Sequence, residues 1–316
     1  MDGMQAFLFN ETLEGTANTL CQRTVKTAIG CVGVGVHSGR RTSLTLQPAP
    51  ADHGIVFRRT DLGLDIPAQY DRVTDTRLCT VIASDAARVG TVEHLMAALA
   101  GAGIDNLLIE IDGPEVPIMD GSAAPFLFLL DCAGVVEQDA PRAMIEILRP
   151  VRVTDGEAFA ELQPFPRLSR VAPPVLDMEL TIDFPAAAIG RQGCALRLTP
   201  NTFRDELSRA RTFAMAEEVA QLQQAGLALG GSLDNAVVVD RDRVLNPSGL
   251  RMPREFARHK LLDAVGDLAL AGASLHGRFV AHRTGHALNN KLLRALFADT
   301  AAWQWIGGPA PVAVAA

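Results

Sequence analysis

Residues 254–270 (REFARHKLLDAVGDLAL) gather side chains that bind metals and move protons. Wound as an α-helix at about 100° per residue, with His259 as zero, they put Asp263 near about 40°, Asp267 near about 80° and Lys260 near about 100°. Leu261, Leu262, Val265, Leu268 and Ala269 fall on the opposite arc, between about 180° and 300°, and form an apolar stripe. Residues four apart on a helix have Cβ atoms about 5–6 Å apart, so His259 and Asp263 can reach one metal ion. A solvated polar face with an Asp–Lys pair is the competing reading.

Two further segments bring similar chemistry. Glu93-His94 opens a helical pattern, where a first-turn carboxylate also favours the helix dipole. The HExxH motif is absent, and the reversed HxxEH motif fails because position 90 is Gly, which excludes the common helical zinc-protease signatures. His286, in HRTGHALNN (282–290), follows a predicted strand and precedes a predicted helix, with Gly285 expected to permit close backbone approach. The chain has only seven histidines. Of the others, His37 lies in a comparable strand-end turn, while His53, His276 and His282 have no supporting context.

Those residues need elements to hold them. Residues 28–39, 41–46, 55–58 and 78–83 read as short strands, with Pro48, Pro50, Asp52 and Gly54 marking a loop. Thr91 is the expected N-cap of a helix over 91–100, closed by Gly101 and Gly103. A strand over 106–111, a tight loop over 117–122 and a helix over 124–133 follow, and 134–142 ends a first unit. The second unit has predicted strands at 143–153, 159–162, 176–184, 236–239 and 278–282, with Pro164, Pro166, Pro173 and Pro174 interrupting. Its predicted helices are 203–209, 216–224, 254–270 and 287–297. Strand pairs ahead of helices favour an α+β architecture of two similar units.

Composition narrows the class. The 316 residues carry 29 Lys and Arg against 36 Asp and Glu, a net charge of −7 that argues against nucleic-acid binding. The hydrophobic fraction of 48% and mean hydropathy of +0.16 suit a packed globular chain. No apolar run approaches the roughly 18–20 residues of a membrane helix. Five scattered cysteines without a CxxC pair indicate neither a disulfide framework nor a cysteine zinc site and are expected as buried small hydrophobes. Residues 1–20 contain Asp2, Glu11 and Glu14 without a basic stretch, so a flexible extension is expected there rather than a signal peptide.

Six blocks bind these signals together: VGVHSG (34–39), TVEHLMAALAG (91–101), GIDNLLIEIDGPEVPIMDGSAAPF (103–126), SRARTF (208–213), HKLLDAVGDL (259–268) and GHALNNKLL (285–293). In this order they resemble the UDP-3-O-acyl-N-acetylglucosamine deacetylase family, zinc amidases of the committed step of lipid A biosynthesis in Gram-negative bacteria. The resemblance runs from about Cys21 to about Trp305. It implies two similar layered α/β sandwich domains, 21–142 and 143–316, each a small sheet packed on helices, the second with a βαβ insert at about 214–240.

The resemblance also assigns roles. Zinc would be held by His94, His259 and Asp263, and iron suits the same His₂Asp ligation. Glu93 would be the general base, His286 the cationic acid, Asp267 the group that orients His286, and Thr212 an oxyanion donor. Lys260, Asp183, Phe184 and Arg283 match positions that meet the nucleotide or its phosphates, with Arg283 standing where Lys also occurs. Phe213, Leu78, Cys79 and Gly231 would border the substrate. Met215 stands in the acyl-passage insert where an aromatic can occur. The expected partner is a UDP-linked acylated amino sugar, with no nucleic acid and no transmembrane segment, for a monomeric cytoplasmic enzyme. A deacetylase of another amino sugar, and a metal-free nucleotide-lipid binding protein, are the rivals.

Overall fold

The structure is a computed structural model that describes residues 20–165 and 175–308. The expected N-terminal extension lies outside the described residues except for Leu20, as do Pro166, Pro173 and Pro174.

Alternation of burial builds the first sheet. In Arg41–Pro48, Thr42, Leu44 and Leu46 point inward and are almost fully buried, while Arg41 faces solvent. The spatial order of this five-stranded sheet is Ile29–Val34, Arg41–Pro48, Leu107–Ile111, Ile55–Arg59 and Leu64–Pro67. Helix α1 (Glu93–Ala102) and helix α2 (Ala124–Ala133) pack on one another, and α2 also packs on Ile29–Val34. A three-stranded sheet, Val73–Asp75, Val81–Ser84 and Ala87–Val89, leads into α1.

The second half has a seven-stranded sheet whose hub is Ser274–His282. That strand runs parallel to both Ala143–Ile147 and Leu176–Asp183 and antiparallel to Ala158–Gln163. A short turn, α3 (Pro200–Thr202), passes into a π-turn over Phe203–Leu207. Strand Phe213–Met215, helix α4 (Ala216–Gln224) and strand Val237–Asp240 form a βαβ unit, because the two strands pair in parallel. Helix α5 (Glu255–Ala269) and helix α6 (His286–Ala298) complete the six helices of the described residues. The α+β class is therefore as the strand and helix patterning indicates.

Helix α5 packs against α1 from the first half and against α6 and the strand Leu176–Asp183 from the second. Of its expected apolar arc, Leu261, Leu262, Val265 and Leu268 are at most 3% exposed, while Ala269 is only half-buried. Full burial of each such leucine contributes about 1.5–3 kcal/mol.

Several local expectations are corrected. Thr91 is not an N-cap: its φ is +56°, Val92 occupies that position, and the Thr91 hydroxyl donates instead to Glu115 Oε1. Gly101 lies within α1, which ends at Gly103, whose φ of +71° suits a glycine. Within 78–83 only Val81 onward is strand, and Leu78 is exposed. Helix 203–209 is replaced by the turn and π-turn. Residues 134–142, for which no element was expected, hold a strand, Val135–Pro141, paired with Cys21–Val25. Strands Arg191–Leu198 and Trp303–Gly307 went unanticipated, both lacking a clean apolar alternation. The cysteines form no disulfide, but only Cys79 is buried and Cys132 is exposed, which corrects the expectation of five buried hydrophobes. A Cβ on Gly285 would meet nothing within 4 Å, so that glycine is not needed for close approach.

Candidate active site

The site exists because α1 and α5 cross at backbone contact. A Cβ at Gly266 of α5 would lie 2.0 Å from the carbonyl oxygen of Glu93 at the start of α1, so only glycine fits there. The crossing sets the His94 and His259 rings edge to face, with centroids 5.0 Å apart. Asp263, one turn beyond His259, places Oδ1 3.3 Å from His259 Nε2 and 3.5 Å from His94 Nε2. The candidate ligand atoms of the three residues all lie within 4.8 Å of one another.

This cluster suits a metal on three counts. Ligand atoms about 2.1 Å from a tetrahedral ion are about 3.4 Å apart, which both measured separations match. Asp263 Oδ1 is buried without a hydrogen-bond partner, an arrangement costing about 1–3 kcal/mol unless a cation neutralises it. Burial pushes His259 down to about 4 despite Asp263 beside it, leaving a neutral imidazole; its Nδ1 donates to the Ala210 carbonyl at 3.1 Å and frees Nε2 as a ligand. Burial opposes ionisation of Asp263, but the His259 ring and the Lys260 ammonium, 2.9 Å from Oδ2, outweigh it and hold the carboxyl well below its usual range. The solvated-face reading of α5 fails: His259, Asp263 and Asp267 are at most 4% exposed.

A candidate proton-transfer group adjoins the cluster. His286, the first residue of α6, has Nε2 3.8 Å from Glu93 Oε1 and Nδ1 2.9 Å from Asp267 Oδ2. Burial disfavours the imidazolium, but Asp267 and Glu93 together overcome it and push His286 up to about 9. Burial raises Glu93 above the usual carboxylate range, only partly offset by His286. Two residues the sequence reading missed complete this group. Asn289 Nδ2 donates to Asp267 Oδ2 at 2.8 Å, and Thr80 meets both carboxylates, its N–H at Glu93 Oε2 and its hydroxyl at Asp267 Oδ1. The HALNN block contains Asn289 three residues after His286, a helical spacing that could have flagged it. Nothing local marks Thr80.

Thr212 lines the same cavity of about 460 Å³ as Glu93, His94, His259, Asp263 and His286. Its segment is tied to the start of α5 by a buried ion pair, Arg211 to Glu255 at 2.8 Å. Leu78, Phe213 and Gly231 line this cavity too, together with Val219, Leu222, Leu233 and Val238 of the insert. Cys79 instead borders an adjoining cleft of about 770 Å³; burial, then Glu93, pushes its thiol up to about 12.

The remaining residues lie outward. The Phe213 ring stands between His259, at 6.2 Å, and Phe184, at 5.4 Å. Phe184 and Met215 line a separate surface cleft. Asp183 and Arg283 are exposed at neighbouring strand ends, and Arg283 pairs with Glu157 at 2.9 Å.

A His₂Asp cluster, a buried carboxylate and a histidine whose neighbours favour its cationic form, all at one cavity, suit a metal-dependent hydrolase. The model of the UDP-3-O-acyl N-acetylglycosamine deacetylase family matches residues 22–298, and the chain belongs to that family. Proteins from Shewanella frigidimarina and Idiomarina loihiensis, both named UDP-3-O-acyl-N-acetylglucosamine deacetylase, are each 49% identical over 288 residues, covering 90% of this chain and 92% of theirs. One of the same name from Stenotrophomonas maltophilia is 46% identical over 292 residues, covering 92% of this chain and 94% of its own. No helix among the described residues is long and apolar enough to cross a membrane.

Proposed function

We propose that this enzyme hydrolyses the N-acetyl group of UDP-3-O-(3-hydroxyacyl)-N-acetylglucosamine, releasing acetate and the free glucosamine amine, with zinc as its metal. The observation that carries the reading is the convergence of His94, His259 and Asp263 with Glu93 and His286 on one cavity.

His94, His259 and Asp263 would hold the zinc. When bound, it supplies Lewis acidity, which lowers the pKa of water from 15.7 to about 7 and polarises the amide carbonyl. Glu93 Oε1 accepts a proton from the attacking water as its oxygen adds to the acetyl carbon. The Thr212 hydroxyl donates to the developing oxyanion. Asp267 holds the His286 ring through Nδ1, so Nε2 delivers its proton to the departing nitrogen as the C–N bond breaks. Lys260 keeps Asp263 ionised and offers a cation toward the phosphates. Asp183, Phe184 and Arg283 form the nucleotide side, with Phe184 able to stack on a base. Leu78, Cys79, Phe213 and Gly231 border the sugar and acyl chain, and the insert with Met215 shapes the acyl passage. The reading includes domains at 21–142 and 143–316, a monomer and a cytoplasmic location; a nucleotide-linked substrate supports the last.

The test is acetate release from this substrate by the purified chain carrying one equivalent of zinc. Activity that disappears with chelation and returns with zinc is expected. No acetate from the zinc-loaded protein, or release unaffected by stripping the metal, overturns the reading.

A further inference from the structure

Thr80 comes from the first half of the molecule, just before strand Val81–Ser84, and is 1% exposed. Its backbone N–H donates to Glu93 Oε2 at 3.1 Å, and its hydroxyl donates to Asp267 Oδ1 at 2.6 Å, across 187 positions of sequence. The other oxygens of these two carboxylates face a single imidazole. Asp267 Oδ2 accepts from His286 Nδ1, and Glu93 Oε1 lies 3.8 Å from His286 Nε2. The four residues close a ring in which Thr80 stands opposite His286.

We infer that Thr80 is a positioning residue for the proton-transfer pair, its hydroxyl setting the plane of Asp267 and thereby the aim of His286 at Glu93. The inference rests on the deacetylase reading above. Asn289 and His286 both bind Asp267 at Oδ2, so without Thr80 the carboxylate can pivot about that one oxygen. Donation at Oδ1 fixes the second oxygen and removes the pivot. The hydroxyl has one proton, and Asp267 takes it. Because the Thr80 N–H holds Glu93 from α1 while the hydroxyl holds Asp267 from α5, one residue sets the base and the acid's partner in a common frame.

Thr80→Val tests this, since it keeps the shape and the N–H and deletes the hydroxyl donor. With zinc-loaded protein, kcat should fall by about 10–100-fold, the usual scale for outer-shell partners, while KM and metal content stay as in the wild type. Thr80→Ser, which keeps the donor, should recover most of the rate. In a His286→Ala background the valine change should cost little more, because the acid whose ring the hydroxyl helps align is gone. A wild-type kcat in Thr80→Val, or equal losses in the Ser and Val variants, overturns the inference while an active wild type leaves the deacetylase reading intact. An inactive wild type overturns both. Should valine prevent folding, Thr80→Cys offers similar size with a much weaker donor; a lowered kcat is expected and an unchanged one is fatal.

Discussion

Glu93, Asp263 and Asp267 are each at most 4% exposed, and Asp267 alone accepts from Thr80, His286 and Asn289. Helix α4, across the same cavity, has no buried residue, and the following segment exposes Leu229 at 56% and Leu233 at 43%. The reaction centre is gripped from both halves of the chain. The insert is pinned to the first half by main-chain bonds from Leu229 to His37 and from Gly230 to Val36. The difference teaches how the two tasks are divided. If these residues transfer protons as proposed, their placement can tolerate little error, and each is held by several partners. On the proposed reading the insert holds the acyl chain, with exposed leucines on a unit anchored through buried Val237 and Val239.

The largest effects should come from the gripped region, and they should separate by role. Asp263→Ala should abolish tight metal binding and with it all activity, leaving the half-buried Lys260 without its partner and the fold weakened. Glu93→Ala should retain the metal yet lose about 10²–10⁴ in rate, the scale of general acid–base catalysis. Metal analysis of both proteins checks the contrast. Metal loss in Glu93→Ala would make it a ligand, and unchanged metal affinity in Asp263→Ala would remove it from the ligand set.

Next in size is the dependence on pH. Glu93 must be ionised to accept a proton, so the rate should rise as pH climbs through its raised pKa. His286 must carry its proton, so the rate should fall again as pH passes about 9. The profile of kcat/KM should be bell-shaped, and in His286→Ala the alkaline limb should vanish along with most of the rate. A limb that survives in that variant would assign the acid elsewhere.

The same contrast explains what the sequence made legible. Helix α5 displayed its chemistry because His259, Asp263 and Asp267 recur at helical spacing, so periodicity alone put them on one face. Periodicity could not decide whether that face met solvent, since the answer depends on α1, packed through Gly266 from a segment far away in the chain. The βαβ character of about 214–240 was visible through resemblance and appears as parallel pairing of Phe213–Met215 with Val237–Asp240. Thr80 stayed hidden because a lone threonine beside a strand has no periodic signature, and its partner lies 187 residues on. Thr91 misled for a related reason: an N-cap residue type was present, but Glu115 claimed its hydroxyl.

The smallest effect belongs to the outer rim and tests the division from its loose side. Arg283 is exposed, with φ at +52°, and its guanidinium pairs with a Glu157 side chain that is 85% exposed. Such a pair contributes about 0–1 kcal/mol to stability, so Arg283→Ala should leave the melting temperature nearly unchanged. If Arg283 instead meets the nucleotide phosphates, the variant should raise KM several-fold with kcat intact, because a contact made equally in ground and transition states alters binding alone. Arg283→Lys should lie between, keeping the charge and losing the two-pronged donor geometry. Added salt should narrow the gap between wild type and Arg283→Ala, since an exposed cation acts through a screened field. A fall in kcat without a change in KM would place Arg283 among the groups that act on the reacting atoms, and the line between the gripped centre and the adaptable rim would then have to be drawn farther out.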